Sequence, residues 1–243
     1  MERKLRALWK LVFGDSEEFL DGFFQKGFSF DRCRYFTDGD SVTAALHWLD
    51  CEYRGEKYAY LYAVATHPDY RNRGLCRELM AKTHADLKEQ GYAGAVLVPQ
   101  EESLRTFYGK MGYENMGNMD EFAAVSGKKP ASLRKIVAQE YAALRRKHLP
   151  EEGLLQEGAG LDFLDTYAAF YAGEDFLLAA FREEDHLWGM ELLGNRERAP
   201  GILKALGCLR GRFRTPGEES PFGMFLPLKE DAPVPKYLGH AFD

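Results

Sequence analysis

The segment from Thr66 to Arg77 combines residue types that can bind phosphate groups. It lies between an apolar, strand-like run and the start of a helix, so backbone N–H groups and the helix dipole would face a bound anion. Arg71 and Arg73 add positive charge, and Gly74 lets a ligand approach the backbone closely. No Gly-Lys-Ser/Thr run and no G-x-G-x-x-G pattern is present, which excludes the nucleotide P-loop and the dinucleotide fingerprint. The alternative is a solvated, Arg-rich turn that only caps the helix.

A second segment, Leu104 to Glu114, places a tyrosine on a short predicted helix. The strand predicted between the two segments, Ala93 to Val98, completes a strand–helix–strand crossover. The ligand crevice of such a unit lies at the carboxyl end of its strands. Tyr108 faces this crevice and could meet a ligand bound at the Arg-rich loop. The alternative is that Tyr108 is an aromatic side chain packed beside Phe107.

Periodicity predicts the elements that position these two segments. Two amphipathic helices open the chain; the first ends at Gly14, and the second is capped by Asp15 with Glu18. An antiparallel meander follows, and its third run, Tyr58 to Thr66, is apolar on both faces, as in a central strand. A helix from Leu75 to Leu87 connects this strand to the next.

The second half repeats the pattern more faintly, after a predicted linker at Gly127 to Pro130. A charged helix is expected next, with an apolar stripe formed by Leu133, Val137, Tyr141 and Leu144. Four more strands are predicted, at 176–181, 187–193, 222–226 and 237–242. One short helix is predicted at 202–206. We interpret this half as a degenerate repeat of the same α/β unit.

Composition limits the class of protein and its partners. The chain has 243 residues, 45% hydrophobic and 29% charged, as in a soluble globular protein. The net charge is −6, and the longest basic run is Arg145 to Lys147, so we do not expect nucleic acid as a partner. The longest uncharged stretches, Tyr58 to Pro68 and Gln90 to Gln100, are shorter than the ~20 residues that cross a bilayer. We therefore expect no membrane partner.

Cysteine usage and the start of the chain predict a cytoplasmic protein. Lys10 interrupts the apolar residues near the start, so no signal-peptide core is expected there. Four cysteines lie far apart, without the paired spacing of metal sites: Cys33, Cys51, Cys76 and Cys208. We predict reduced thiols and no metal.

The loop and the tyrosine helix, in this order around the crossover strand, resemble the GNAT superfamily of acyl-CoA-dependent N-acetyltransferases over roughly Leu5 to Met116. The resemblance implies an α/β (α+β) GNAT fold with a mixed, largely antiparallel central sheet, and acetyl-CoA as cosubstrate. The second α/β half without a phosphate loop is similar to tandem acetyltransferases and, distantly, to the enhanced intracellular survival acetyltransferases. This implies a catalytic domain at 1–126, a linker and helix at 127–150, and a degenerate GNAT-like domain at 151–243.

The resemblance also implies a role for each matching residue. Tyr108 matches the catalytic tyrosine that faces the coenzyme A sulfur. The cofactor-binding residues match the splayed strand that pairs with the pantetheine arm and the loop that holds the pyrophosphate: Val64, Ala65, Thr66, Arg71, Asn72, Arg73, Gly74, Leu75, Cys76 and Arg77.

The chain departs from the family pattern in three places. Cys76 stands where Gly or Ala is usual, and its place near a helix N-terminus and arginines predicts a depressed thiol pKa, with a small buried filler as the alternative. Glu101 stands where many members carry Asn, which puts one pantetheine contact in doubt. We expect no opening strand of the family type, because the sequence predicts a helix almost from Met1; either the start is trimmed or another strand fills that edge.

The implied chemistry is direct attack of an amine on the thioester. A backbone N–H of the 64–66 strand would polarise the carbonyl. Tyr108, with a reference pKa of about 10 against about 8.5 for a thiol, would mainly donate a hydrogen bond to the leaving thiolate. The base is open between water and several candidates: His47, Asp50, Glu52, His67 and the terminal carboxylate.

The sequence therefore predicts an N-acetyltransferase that acts on a primary amine of a small molecule or peptide. The alternative is a non-catalytic acyl-CoA-binding regulatory module, and a homodimer is left open. The final run, Tyr237 to Asp243, alternates like a strand and is predicted to dock, either at the open sheet edge or in the sheet of the second half. Near the cleft, its terminal carboxylate could hold or deprotonate the acceptor.

Overall fold

One mixed β-sheet runs through both halves of the chain. The computed structural model describes residues 1–242, which contain seven α-helices and twelve β-strands. The helices are α1 (Glu2–Phe13), α2 (Glu17–Gly22), α3 (Leu75–Glu89), α4 (Glu102–Gly109), α5 (Ala138–His148), α6 (Ala159–Leu164) and α7 (Ala199–Leu206). The strands are β1 (Cys33–Asp38), β2 (Ser41–Tyr53), β3 (Glu56–Thr66), β4 (Gly94–Leu97), β5 (Glu114–Val125), β6 (Leu133–Ile136), β7 (Leu155–Gln156), β8 (Ala169–Gly173), β9 (Phe176–Glu183), β10 (His186–Gly194), β11 (Arg210–Pro216) and β12 (Ser220–Pro227). Within residues 1–242, no helix has both the length and the apolar character that crossing a bilayer requires.

The order of the strands shows that the two halves exchange strands. The order is β1-β2-β3-β4-β12-β5-β11-β10-β9-β8-β6, and β7 pairs with β2 outside this path. Strand β12, from the second half, lies between β4 and β5 and is antiparallel to both. Strand β5, from the first half, is antiparallel to β11 on its other side. Each half therefore completes the sheet of the other.

The strand–helix–strand crossover occurs twice, once in each half. Strands β3 and β4 are parallel and pair from Tyr58 and Gly94 to Tyr60 and Val96. Strands β10 and β11 are parallel as well, and they flank α7 as β3 and β4 flank α3. In both units the strands separate beyond a few residue pairs. This topology confirms the predicted α/β class with a mixed sheet, and it agrees with the interpretation of the second half as a degenerate repeat.

The two opening helices are present, but the cap of the second differs from the prediction. Helix α1 ends at Gly14, which has the left-handed conformation with φ of 77°. The N-cap of α2 is Ser16, whose hydroxyl accepts a hydrogen bond from the backbone N–H of Phe19 at 3.2 Å. The carboxylate of Asp15 accepts instead from the indole N–H of Trp9 at 2.7 Å. The prediction that Asp15 caps α2 is therefore wrong by one residue.

The helix predicted after the linker begins later than expected. Leu133 is in strand β6 and pairs with Gly173 of β8, so it is not part of the helical stripe. Helix α5 starts at Ala138, and Val137 before it is 68% exposed. Strand pairing at the edge of the sheet prevails here over the helix that the spacing of the apolar residues predicts. Tyr141 and Leu144 remain on α5, and Tyr141 is fully buried.

The end of the chain is docked, but it is not a strand. Tyr237 forms a single bridge with Gly153, and no regular strand follows it up to residue 242. The tail is nevertheless buried, and the ring of Phe242 lies 5.7 Å from that of Tyr60 and 5.5 Å from that of Tyr62. It occupies neither the sheet edge nor a slot in the second sheet. The predicted role of Asp243 and the terminal carboxylate falls outside the described residues.

A buried polar network holds this tail. The guanidinium of Arg145 donates to both carboxylate oxygens of Glu191, at 2.7 and 2.9 Å. The Tyr141 hydroxyl donates to the same carboxylate at 2.6 Å, and Nε2 of His240 lies 3.0 Å from it. Gln156 bonds to the backbone C=O and N–H of His240, at 2.6 and 2.9 Å. Burial by itself would raise the pKa of Glu191, but the charge of Arg145 lowers it well below the usual range.

His47 is also buried and titratable, and no charged group among residues 1–242 pairs with it. Its ring lies among the rings of Trp9, Phe23 and Phe28 at centroid distances of 5.6, 5.3 and 5.6 Å. Its Nδ1 has no hydrogen-bond partner among the described residues. Burial lowers the pKa of His47 to about 3. The neutral form is therefore the one that fits the folded protein.

We expect acid to destabilise the protein through His47. The unfolded pKa of about 6.5 exceeds the folded pKa, so the stabilisation is complete above pH 6.5 and is lost as the pH falls toward 3. This one residue should make unfolding about 2 kcal/mol easier at pH 5 than at pH 8. Urea denaturation of the protein and of His47→Phe at both pH values measures the effect. An equal pH dependence in the two proteins would contradict the assignment, since burial also lowers the pKa of His84 and that contribution is common to both.

Candidate active site

A cavity of about 1060 Å³ lies where β3 and β4 separate. It brings together nine of the residues predicted for the site: Val64, Thr66, Arg71, Asn72, Gly74, Leu75, Cys76, Arg77 and Tyr108. Two predicted residues do not line it. Ala65 is buried in the core, and the guanidinium of Arg73 lies 4.9 Å from the ring centroid of Tyr70 and donates to the backbone C=O of Asp69 at 2.8 Å.

The cavity connects the two faces of the sheet. Alternate residues of β3 belong to different apolar clusters, with Tyr60 in one and Leu61 in the other. We call the side that contains the Arg-rich loop and Tyr108 the loop side. We call the opposite side, which contains Trp9 and Phe242, the aromatic side. A ligand held on one side can therefore reach a ligand on the other through the gap between β3 and β4.

A bulge in β3 shapes this gap. Ala45 of β2 pairs with Ala65, whereas His47 pairs with Tyr62, so two residues of β3 lie opposite one residue of β2. One of the two is Ala63, whose φ of 50° is left-handed. Such a conformation costs a non-glycine residue on the order of 1 kcal/mol, and bulges of this kind occur beside binding sites, where they redirect the strand.

The Arg-rich loop forms a positively charged cradle on the loop side. Asn72 and Gly74 both have positive φ, 61° and 80°, and Gly74 is the N-cap of α3. A Cβ built on Gly74 would meet no atom within 4 Å, so open space lies next to its backbone. Arg71 and Arg77 line the same space. The loop thus offers a helix N-terminus, two cations and an exposed backbone to an anion.

Tyr108 lines the cavity and is held there by packing. It is 7% exposed, and its ring packs between those of Phe107 and Tyr113, at 5.3 and 5.8 Å. Within residues 1–242 its hydroxyl makes no hydrogen bond. Burial, with a smaller effect of the nearby Cys76, raises the pKa of Tyr108 above its usual range. The hydroxyl therefore remains protonated at neutral pH and is available as a donor.

The exchanged strand β12 fixes the helix that carries Tyr108. Arg105 of α4 donates to the backbone C=O groups of Pro221 and Phe222 in β12, at 2.7 and 2.8 Å. It also donates to the side chain of Asn115 at 2.9 Å. The position of Tyr108 thus depends on a strand from the second half.

The structure places the four base candidates from the sequence outside the cavity. His47 is in the aromatic core, and His67 accepts a hydrogen bond from the backbone N–H of Asp69 at 3.3 Å. Asp50 and Glu52 line a separate, smaller pocket. The carboxylates that do line the main cavity, within residues 1–242, are Asp15, Glu101 and Glu183.

Cys76 is more deeply buried than the sequence suggests. Burial raises the pKa of its thiol to about 11, although Arg71 and Arg77 line the same cavity. The prediction of a depressed pKa is wrong, because loss of hydration outweighs the attraction of exposed cations across solvent. The alternative, a small filler at the start of α3, fits the structure.

Most of the aromatic side was not predictable from the sequence. Only the long-range fold reveals these residues, since they come from α1, α2, the connection between these helices and the second half of the chain: Trp9, Phe13, Asp15, Phe19, Tyr167, Phe181, Glu183 and Phe242. The hydrophobic spacing of the first two helices predicted that they pack against the protein, but it could not show against what.

Comparisons with known families and solved structures found similar proteins. The family model of the acetyltransferase (GNAT) domain matches residues 2–116. A search of curated proteins found no significant match. A GCN5-related N-acetyltransferase from Kribbella flavida has a similar structure, with a TM-score of 0.69 and 17% identity, over 93% of this chain and 69% of that chain.

Two further solved structures extend the likeness over both halves. Eis1 from Mycobacterium abscessus has a TM-score of 0.66 and 8% identity, covering 93% of this chain and 71% of its own. A tandem GNAT protein from the clavulanic acid biosynthesis pathway has a TM-score of 0.58 and 11% identity, covering 95% of each chain. At these identities the likeness concerns the fold, and it matches the predicted tandem arrangement. The family match places an acetyltransferase (GNAT) domain at residues 2–116, and the solved structures show that the fold extends over both halves.

Proposed function

We propose that this chain transfers the acetyl group of acetyl-CoA directly to a primary amine of a small molecule or peptide. The observation that carries the proposal is that the Arg-rich loop and Tyr108 line one cavity at the separation of β3 and β4. The acetyltransferase domain supplies the reaction class. The acceptor enters from the aromatic side.

The residues of the loop side suit acetyl-CoA. Phosphate groups match the charges of Arg71 and Arg77 and the open backbone at Gly74. An extended, amide-containing arm matches the free strand edge that begins where β3 leaves β4. The proposed cofactor-binding residues are Val64, Ala65, Thr66, Arg71, Asn72, Arg73, Gly74, Leu75, Cys76 and Arg77. The two that do not line the cavity, Ala65 and Arg73, act by holding the strand and the loop.

Acetyl-CoA supplies a thioester whose carbonyl carbon accepts the amine. A backbone N–H of the segment Val64 to Thr66 polarises the carbonyl oxygen. The hydroxyl of Tyr108 donates a hydrogen bond to the sulfur as the thiolate leaves, which is a role that its raised pKa preserves. Four of the base candidates do not line the cavity, and the terminal carboxylate lies outside the described residues, so we assign removal of the amine proton to water in the cavity.

The same proposal gives each part of the chain a role and the enzyme a location. We assign catalysis to a unit at 1–126, connection to 127–150, and a GNAT-like unit at 151–243 that shapes the acceptor side. The shared sheet makes the two units dependent on each other. A cytoplasmic location is supported by four cysteines that are all free thiols.

Gly74→Val should weaken acetyl-CoA binding at least about tenfold, or 1.4 kcal/mol. The branched side chain would occupy the open space beside the backbone, at a residue whose φ of 80° also disfavours it. Isothermal titration calorimetry measures the change. Gly91→Val is the matched control, because Gly91 has φ of 82°, has equally open surroundings and lies past the other end of α3, outside the cavity. Equal affinity in the Gly74 and Gly91 variants would contradict the assignment.

Release of free thiol from acetyl-CoA, followed with and without a panel of primary amines, tests the function. We expect release that depends on the amine and on the intact Tyr108 hydroxyl. Binding of acetyl-CoA without amine-dependent release would overturn the proposal in favour of a non-catalytic acyl-CoA-binding module. Absence of binding would overturn both.

A further inference from the structure

Aromatic rings from both halves of the chain wall the aromatic side of the cavity. Six of these rings are those of Trp9, Phe19, Tyr62, Tyr167, Phe181 and Phe242. Neighbouring rings are in contact, with centroid distances of 5.3 Å for Trp9 and Tyr62, 5.5 Å for Tyr62 and Phe242, and 5.3 Å for Phe19 and Tyr167. Flat walls of this kind favour a flat apolar ligand, which can make stacked or edge-to-face contacts with them.

The charges on this side are negative. Asp15 and Glu183 supply carboxylates, whereas the arginines that line the cavity, Arg71 and Arg77, belong to the loop side. Glu183 forms no ion pair with any of residues 1–242. Aromatic faces attract cations as well, so an ammonium group approaching from this side meets two favourable effects.

We propose that the acceptor is an arylalkylamine, a primary amine joined by a short chain to an aromatic ring, and that the second half selects it through Phe181 and Glu183. The inference rests on the proposed function, which leaves the acceptor open. Phe181 comes from β9 and lies 6.3 Å from Tyr167, measured between ring centroids. Glu183 is two residues further along the same strand, so both side chains are on one face of it.

The same walls disfavour amines that carry many polar groups. A polyhydroxylated or polycationic acceptor would give up water at several hydroxyl or ammonium groups, and aromatic rings return few hydrogen bonds for them. The two carboxylates can pair with only a small number of cations. An acceptor with one ammonium group and one flat apolar body loses the least hydration and gains the most contact.

Steady-state kinetics with four acceptors tests the selection. Phenethylamine is compared with hexylamine, which lacks the ring, and with spermidine and glucosamine, which are polycationic and polyhydroxylated. We expect kcat/KM for phenethylamine to exceed that for spermidine and for glucosamine at least about tenfold, and that for hexylamine about threefold. A kcat/KM for spermidine or glucosamine equal to or above that for phenethylamine would overturn the inference.

Two variants and one control test the role of the second half. Glu183→Gln should raise the KM for phenethylamine about threefold, and Phe181→Ala about tenfold, with the KM for acetyl-CoA unchanged in both. Glu184→Gln makes the same charge change one residue away, outside the cavity, and should alter neither constant. Glu183 is exposed, so its variant should fold even if Phe181→Ala does not. Equal behaviour of the Glu183 and Glu184 variants would overturn the assignment to Glu183.

Failure of this inference is distinguishable from failure of the proposed function. Transfer to spermidine or glucosamine with poor transfer to phenethylamine leaves the acetyltransferase proposal intact and overturns only the acceptor class. Calorimetric binding of acetyl-CoA without transfer to any of the four amines overturns this inference, and a wider amine panel in the thiol-release assay then decides the function.

Discussion

Replacing Glu191 by alanine is expected to destabilise the protein by about 3–5 kcal/mol, the usual cost of removing one partner of a buried ion pair. Arg145 would be left charged and fully buried, without the carboxylate that accepts two of its hydrogen bonds. The Tyr141 hydroxyl and the His240 ring would lose the same acceptor. Urea denaturation with linear extrapolation measures the change.

The double replacement of Arg145 and Glu191 by methionine is the control for this result. An apolar pair of similar volume removes both charges, so much of the lost stability should return. We expect the buried charges of Arg145 and Glu191 to stabilise the network by neutralising each other. A loss below about 1 kcal/mol for Glu191→Ala would contradict this view, and so would a double variant that is no more stable than the single one.

Tyr108→Phe should lower kcat by ~10², the lower end for a positioned proton donor, and leave the KM for acetyl-CoA nearly unchanged. The phenylalanine ring keeps the packing between Phe107 and Tyr113 but has no donor for the leaving sulfur. Steady-state kinetics with a reactive amine measures both constants. The activity of the unchanged protein should not fall with deprotonation of this tyrosine up to about pH 10, because its pKa lies above the usual value.

Tyr113→Phe is the matched control for Tyr108. Its hydroxyl bonds to Nε2 of His84 at 2.8 Å, and the residue does not line the cavity. The variant should lose on the order of 1 kcal/mol of stability and keep its kcat. Similar kcat values for the unchanged protein and Tyr108→Phe would assign Tyr108 to the core instead of to the reaction.

The sequence predicted those parts of the candidate site that are formed by residues close together in the chain. The Arg-rich loop and the tyrosine helix are local motifs, and the crossover between them fixes their relative position, so nine predicted residues line one cavity. The strand at Tyr58 to Thr66 was recognisable because both of its faces are apolar. These features need only the periodicity of one segment and the handedness of one connection.

Features that depend on distant segments were not predictable. Nothing in the composition of β12 shows that it lies between β4 and β5, because that pairing joins residues far apart in the chain. The left-handed Ala63 breaks the rule that alanine avoids positive φ, so the bulge has no signal in the sequence. The sequence predicts that Asp15 caps α2, but its carboxylate accepts a hydrogen bond from the Trp9 indole, whose position the sequence does not show.

The residues of the second half that line the candidate site were not predictable for the same reason. Phe181 and Glu183 read as an ordinary strand and turn, and they line the cavity only because the long-range fold brings the end of β9 next to residues of the first half. Phe242 likewise belongs to a tail whose burial depends on the network around Glu191. The acceptor specificity that we propose therefore depends on the whole chain.

The most direct test of the account is to follow an isotopically labelled acetyl group. The protein is incubated with acetyl-CoA that carries the label and with phenethylamine, and the products are separated and weighed by mass spectrometry. The account predicts one labelled amide for each free coenzyme A formed, with no matching gain in labelled acetate. Label found in acetate, or acetyl-CoA recovered unchanged with phenethylamine and with every other primary amine tried, would contradict it.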